Sequence, residues 1–173
     1  GENMYNLQDI ANEYHRLDQI FNIDTSDIDL VHFTGVSQCG YCYIKNGKPI
    51  KIGINDLVFE CPENEFYDVI RHEYAHAVDA VKYKNRGHSK TWKQICEIVG
   101  CIPSAHISKN SELQKKFDKY TMQTAKYKIT CSNCGQVYYY QRKSSVVNDY
   151  YAGKKLICPV CHKKFSINTN EKK

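Results

Sequence analysis

The sequence predicts an α+β protein in two parts, a small sheet packed on helices over residues 1–125 and a small β module over residues 126–173. Three observations predict it. Apolar residues recur at helical spacing near the start and again in the middle of the chain. Short apolar runs lie between those stretches, two of them separated by Asn46-Gly47. Two Cys-x2-Cys pairs bracket the last part of the chain. A length of 173 residues allows one ordinary domain plus an appendage too small to be held by apolar burial alone.

The elements follow in order. Leu7, Ile10, Ala11, Tyr14, Leu17, Ile20 and Phe21 fall on one stripe, predicting an amphipathic helix over about residues 5–22. Ile28–Thr34, Gly40–Ile44 and Ile50–Ile54 read as strands, the last two forming a hairpin around Asn46-Gly47. Pro62, Glu63 and Glu65 open a second helix, because acidic residues favour the first turn. Phe66, Val69, Ile70, Ala77 and Val81 carry it to about Tyr83, and Asn85-Arg86-Gly87 breaks it. A third helix runs from Ser89 through Trp92, Ile95, Ile98 and Val99 to Gly100. Residues 104–125 are polar and partly helical. From Lys126 the pattern becomes short strands between cysteine pairs.

No run of about 18 apolar residues occurs, so no transmembrane helix is expected. Gly1–Asn3 reads as a remnant ahead of Met4, and no basic-then-apolar leader is read there, so the expected compartment is the cytoplasm. Nine cysteines in a reducing compartment read as metal ligands before disulfides. Residues 126–173 hold ten Lys or Arg against Asp149 and Glu171, a balance of +8 within a chain of +5. A basic module on a slightly acidic body suits a polyanion, most simply nucleic acid, although lysines also serve to solubilise a small module.

Chemistry concentrates on the second helix, at His72-Glu73-Tyr74-Ala75-His76. Residues four apart stand one turn above each other, so the two imidazoles of H-E-x-x-H converge on one ion, while Glu73 points to the neighbouring flank. Zinc held this way lowers the pKa of water towards 7, and a carboxylate beside it can accept the proton. Apolar flanks (Val69, Ile70, Ala75, Ala77, Val78) place the motif in a buried helix, where unpaired His and Glu are costly. The third ligand is expected at His88, which Gly87 allows to turn back; His106 is the competing candidate. Ser89 is read as the cap of the next helix and Trp92 as packing beneath the site. Asp79 is read chiefly as a solvated residue, with an imidazole-orienting role as the alternative.

Ile50-Lys51-Ile52-Gly53-Ile54-Asn55, Asp68-Val69-Ile70-Arg71-His72-Glu73-Tyr74-Ala75-His76-Ala77 and Gly87-His88-Ser89-Lys90-Thr91-Trp92 together resemble the SprT-like metallopeptidases of the SprT/Spartan type. Lys126-Tyr127-Lys128-Ile129-Thr130-Cys131 through Cys161 is similar to the zinc ribbon of bacterial SprT-type proteins. The resemblance spans about residues 5–168. It implies His72, His76 and His88 as zinc ligands, Glu73 as the catalytic carboxylate, and DNA-associated proteolysis that clears proteins trapped on DNA. Two positions depart from the family pattern: Ser89, often Gly there, and Trp92, often Phe.

Cys131, Cys134, Cys158 and Cys161 have the spacing of a closed tetrathiolate zinc site, which is structural. Two zinc ions are therefore expected, one catalytic and one structural. His162 follows Cys161 as a spare ligand. Tyr138, Tyr139 and Tyr140 lie beside Arg142 and Lys143, an arrangement suited either to stacking on unpaired bases or simply to packing the small sheet. Cys39 and Cys42 are read as buried free thiols on opposite faces of a strand, with an exchanged pairing in the ribbon as the alternative, and Cys61, Cys96 and Cys101 as small core residues. The expected function is thus a zinc endopeptidase acting on proteins at DNA that is single-stranded or locally unpaired. The alternative is a non-catalytic, zinc-stabilised nucleic-acid-binding or regulatory protein. Glu73 favours the enzyme, because a structural ion does not need it.

Overall fold

A computed structural model describes residues 3–167 of the chain. Among them the chain forms two compact units that divide between Phe117 and Asp118.

In the first unit, α1 (Leu7–Phe21) begins at a reciprocal cap. Asn6 Oδ1 accepts from the Asp9 amide, while Asp9 Oδ2 accepts from the Asn6 amide. The helix buries Ile10, Tyr14, Leu17 and Phe21 and stops at Asn22 in the left-handed region. Strands β1 (Asp29–Phe33), β2 (Gly40–Lys45) and β3 (Lys48–Asn55) make one sheet in the order β1-β3-β2. β1 is parallel to β3, and β2 is antiparallel to it, which leaves β2 at an edge. Asn46 and Gly47 join β2 to β3 with φ of 52° and 74°, the pair of positive values that a two-residue hairpin matched to strand twist requires. A 3₁₀ turn, Asp56–Glu60, leads into α2 (Glu63–Tyr83), which packs across β2 and β3. The sequence pattern had not indicated that turn.

The core of this unit lies between the sheet and helices α1, α2 and α3 (Lys90–Val99), and Ile52, Ile54, Phe66, Ile70, Tyr74 and Trp92 are at its centre. Tyr74 donates to Asp18 (2.9 Å), which also accepts from the amide and hydroxyl of Thr25, so the polar atoms buried beside these aromatic rings are satisfied. α4 (Glu112–Thr124) is capped by a neighbour, Glu65 of α2 accepting from the amides of Glu112 and Leu113.

In the second unit, β4 (Tyr127–Thr130) pairs antiparallel with β5 (Val137–Tyr140), and β6 (Leu156–Ile157) pairs with β7 (Lys164–Phe165). Between the pairs the chain adds α5 (Ser145–Tyr151), where only strands were expected. Ser144 caps it by accepting from the Val147 amide, and Val147 and Tyr150 bury one face. No helix among the described residues is long and apolar enough to cross a membrane.

Candidate metal centre

α2 carries His72 and His76 one turn apart, and the left-handed Lys84 ends the helix. Gly87, at φ 70°, then reverses the chain so that His88 meets the other two. His72 Nε2 lies 3.3 Å from His76 Nε2 and 3.2 Å from His88 Nε2. A tetrahedral ion with Zn–N bonds of about 2.0–2.1 Å separates its nitrogens by about 3.3 Å, so His72 already stands at the spacing zinc imposes from each of the other two, and all three ligand nitrogens lie within 4.8 Å of one another. Two ring nitrogens sharing one proton would also sit this close, but three mutually adjacent Nε2 atoms are not explained by pairwise proton sharing. Trp92 supports the cluster from below. It is fully buried, its ring centroid is 4.4–5.1 Å from those of all three histidines, and its indole Nε1 points at the His72 carbonyl, 3.4 Å away.

Electrostatics keep these imidazoles neutral, the form that ligates. Burial, then the charges of His76 and His88, pushes His72 down to about 3. Burial, then His88, takes His76 down to about 4 against the opposing influence of Asp79 and a backbone hydrogen bond with Gly87. His88 is lowered by burial and then by His106 and Lys93, although its side chain is exposed, so the cluster opens towards solvent on that side. His106 does not join the three; it sits exposed on the loop after α3, its amide bonded to Ser104 Oγ.

Glu73 is buried beside them, and burial pushes its carboxyl up to about 8. Its neighbour is the edge strand. A Cβ on Gly40 would lie 3.1 Å from both Cγ and Oε1 of Glu73, so the absence of a side chain at Gly40 is what lets β2 reach the carboxylate. Nothing in the local pattern marked Gly40; a glycine in a strand signals close approach in general but not to what.

Two readings from the sequence are overturned here. Asp79 is not solvated but buried, 1 % exposed, and it binds no imidazole. It accepts from Ser89 Oγ (2.6 Å) and from Thr91 Oγ1 instead. Cys39 and Cys42 do not face opposite ways, because Cys39 precedes β2 and both pack against the same core. They are half-buried free thiols near Glu73, raised to about 11 and about 12 by burial and then by that carboxylate. Cys61, Cys96 and Cys101 are buried and free, as expected of core residues.

In the second unit the Sγ atoms of Cys131, Cys134, Cys158 and Cys161 gather, Cys131 to Cys161 at 3.8 Å and Cys134 to Cys158 at 3.7 Å. Tetrahedral zinc with Zn–S bonds of about 2.3 Å places its sulfurs about 3.8 Å apart, so this donor set fits too. Each pair ends in the same backbone turn. The Gly135 amide donates to the Cys131 carbonyl and the His162 amide to that of Cys158, with φ of 75° and 60°. His162 is thus an exposed turn residue and no member of the thiol group. Tyr138 and Tyr140 pack on the small core, and the Tyr138 hydroxyl is 3.1 Å from Cys158 Sγ. Tyr139 alternates to the other face, opposite Lys128 in the ladder.

A helix-borne histidine pair, a third imidazole from the next turn and an adjacent buried carboxylate thus lie together in a region whose family match points to a metallopeptidase-type domain. The SprT-like family model matches residues 13–112, more than half of the chain, and the protein belongs to the SprT-like family. No curated protein and no solved structure matches it.

Proposed function

We propose that the chain is a zinc-dependent endopeptidase acting on proteins associated with DNA. In this reading residues 1–125 form the peptidase domain and residues 126–173 a zinc ribbon. The observation that carries the proposal is the convergence of three imidazoles, their ligand nitrogens within 4.8 Å of one another and two pairs at 3.2–3.3 Å, beside a buried carboxylate. His72, His76 and His88 would hold the ion. Bound zinc supplies Lewis acidity for the peptide carbonyl and lowers the pKa of water towards 7. Glu73 then accepts a proton from the attacking water and delivers it to the departing amine, so the acyl carbon gains hydroxide and the nitrogen gains hydrogen. Cys131, Cys134, Cys158 and Cys161 would hold the second, structural zinc.

Support for DNA is the +8 balance of residues 126–173, with Lys126, Lys128, Arg142 and Lys143 exposed on the second unit. Tyr139 lies among them, half-exposed and outside the small core. Single-stranded or locally unpaired DNA is the form such a combination favours, through stacking as well as phosphate contacts. The alternative, an ion with a purely structural role, leaves the buried Glu73 without a purpose.

A proteolysis assay comparing the parent with Glu73→Gln, with and without single-stranded DNA, tests the reading. Cleavage is expected to fall by about 10²–10⁴-fold while both zinc ions are retained. Equal residual cleavage by the two proteins would eliminate the mechanism. DNA affinity that does not weaken with added salt would remove the nucleic-acid part, since phosphate contacts release counterions.

A further inference from the structure

Asp79 lies on α2 three residues past His76, about one turn further along. It is almost wholly buried, and no ion pair among the described residues includes it. A buried carboxylate must find donors or drive the group to neutrality, and here the donors are two hydroxyls from one short segment. Ser89 donates at 2.6 Å to Oδ2, and Thr91 donates to Oδ1. Both hydroxyls are also fixed from other directions. Ser89 Oγ accepts from the Trp92 amide at 3.0 Å, capping α3, and Thr91 Oγ1 accepts from Asn85 Nδ2 at 2.9 Å. Asn85 in turn donates through its amide to the Asp79 carbonyl, closing a ring of contacts around the 85–91 turn.

His88 rides on that turn, directly before Ser89, and is the exposed member of the histidine cluster. Within the cluster its ring lies 3.2 Å from the His72 ring, so the backbone beneath it must supply the aim. Gly87, at φ 70°, contributes freedom rather than stiffness. The stiffness comes from Asp79. We propose that Asp79 is the positioning residue for the third metal ligand: by clamping Ser89 and Thr91 it holds His88 at His72 and His76 before an ion arrives. The gain is preorganisation, because an exposed turn that is already ordered loses little freedom when metal binds. Ser89, one of the two departures from the family pattern noted above, makes one of the two contacts. The inference rests on the reading of His72, His76 and His88 as a zinc site.

The test uses the 173-residue, zinc-loaded chain and the variants Asp79→Ala, Asp79→Asn and Ser89→Ala/Thr91→Ala. The zinc dissociation constant of the histidine site is measured by chelator competition, with the thiolate-bound zinc as internal reference. Melting of the zinc-stripped proteins is followed separately. Asp79→Ala is expected to weaken zinc binding about tenfold or more, the range typical of residues that orient ligands from behind. Asp79→Asn keeps a carbonyl oxygen for one hydroxyl and is expected to fall between it and the parent. The double hydroxyl variant, which also loses the α3 cap and the Asn85 contact, should weaken zinc binding at least as much as Asp79→Ala, and adding Asp79→Ala to it should change little further, because the contacts to the carboxylate are already gone. If Asp79→Ala fails to fold, the hydroxyl variant probes the clamp from its partner side. Stripped variants that melt lower yet bind zinc within twofold of the parent would reduce Asp79 to a structural residue and overturn the clamp alone. A parent chain that holds only the thiolate-bound zinc would overturn the histidine site itself, and the clamp with it.

Discussion

At Gly40 two elements meet with no room for a methyl group. An added Cβ would sit 3.0 Å from the Gly53 carbonyl oxygen and 3.1 Å from the Glu73 side chain. The carbonyl belongs to the central strand and cannot retreat, so the carboxylate has to move. Gly40→Ala is therefore expected to lower kcat/KM by about tenfold to a hundredfold, since displacements of about 1 Å in a reacting group cost that much. Zinc content should be unchanged, because no imidazole is touched; kinetic and metal analyses on one preparation check both halves, and parental kcat/KM would show that β2 does not fix Glu73. The contrast with the histidines is instructive. His72, Glu73, His76 and His88 were legible because helical spacing and one glycine turn bring them together locally. Gly40 was not, since its role depends on which strand lies against α2, a tertiary fact. Asp79 was misread for a related reason: in a run of charged and apolar residues nothing announces that two hydroxyls ten and twelve positions later will be its partners.

Among the elements, the hairpin shows how a strand glycine can be required by its neighbour. Gly53 of β3 sits opposite Tyr41 of β2, whose ring lies over it and is 5.4 Å from that of Phe33 of β1 between centroids. A Cβ at Gly53 would fall 2.3 Å from that ring, well inside contact. Gly53→Ala must expel the Tyr41 ring and is expected to destabilise the protein by about 1–3 kcal/mol, the usual cost of overpacking. Tyr41→Ala combined with it should recover part of the loss if the clash is the cause; equilibrium denaturation of the two variants decides. The hairpin and the boundaries of α2 were readable beforehand, Asn46-Gly47 and the Pro62-Glu63-x-Glu65 start being strong local signals. α5 was not. At seven residues it is too short for a periodicity to establish itself, and its two buried positions, Val147 and Tyr150, look like strand residues between cysteine pairs.

For the whole molecule, the two units differ in what holds them. The first has an extensive core in which helices, sheet and Trp92 interlock. The second buries Ile129, Val147, Tyr150, Phe165 and Ile167, and the other two members of its core cluster, Cys131 and Cys158, belong to the thiol group itself. Its charge works against compaction as well, with a balance of +8 over 48 residues at most partly offset by contacts such as Lys154 with Asp149. A core this small rarely folds a module unaided, whereas a structural zinc contributes an apparent 10–16 kcal/mol in comparable sites. Chelation is therefore expected to act on the units unequally. If both clusters hold zinc as proposed, stripping it should melt β4 to β7 and α5 while α1, α2, α3 and the three-stranded sheet stay folded, because the histidine cluster opens to solvent at His88 and the apolar core beneath it is built from side chains alone. Hydrogen exchange on the stripped protein reads this directly. Amides of residues 127–165 should exchange at rates near those of an unfolded chain, while those of Ile52, Ile54, Ile70 and Tyr74 keep their protection. Protection that survives in both units would show that the thiol cluster needs no ion to fold, and loss in both together would show that the first unit's core depends on metal after all.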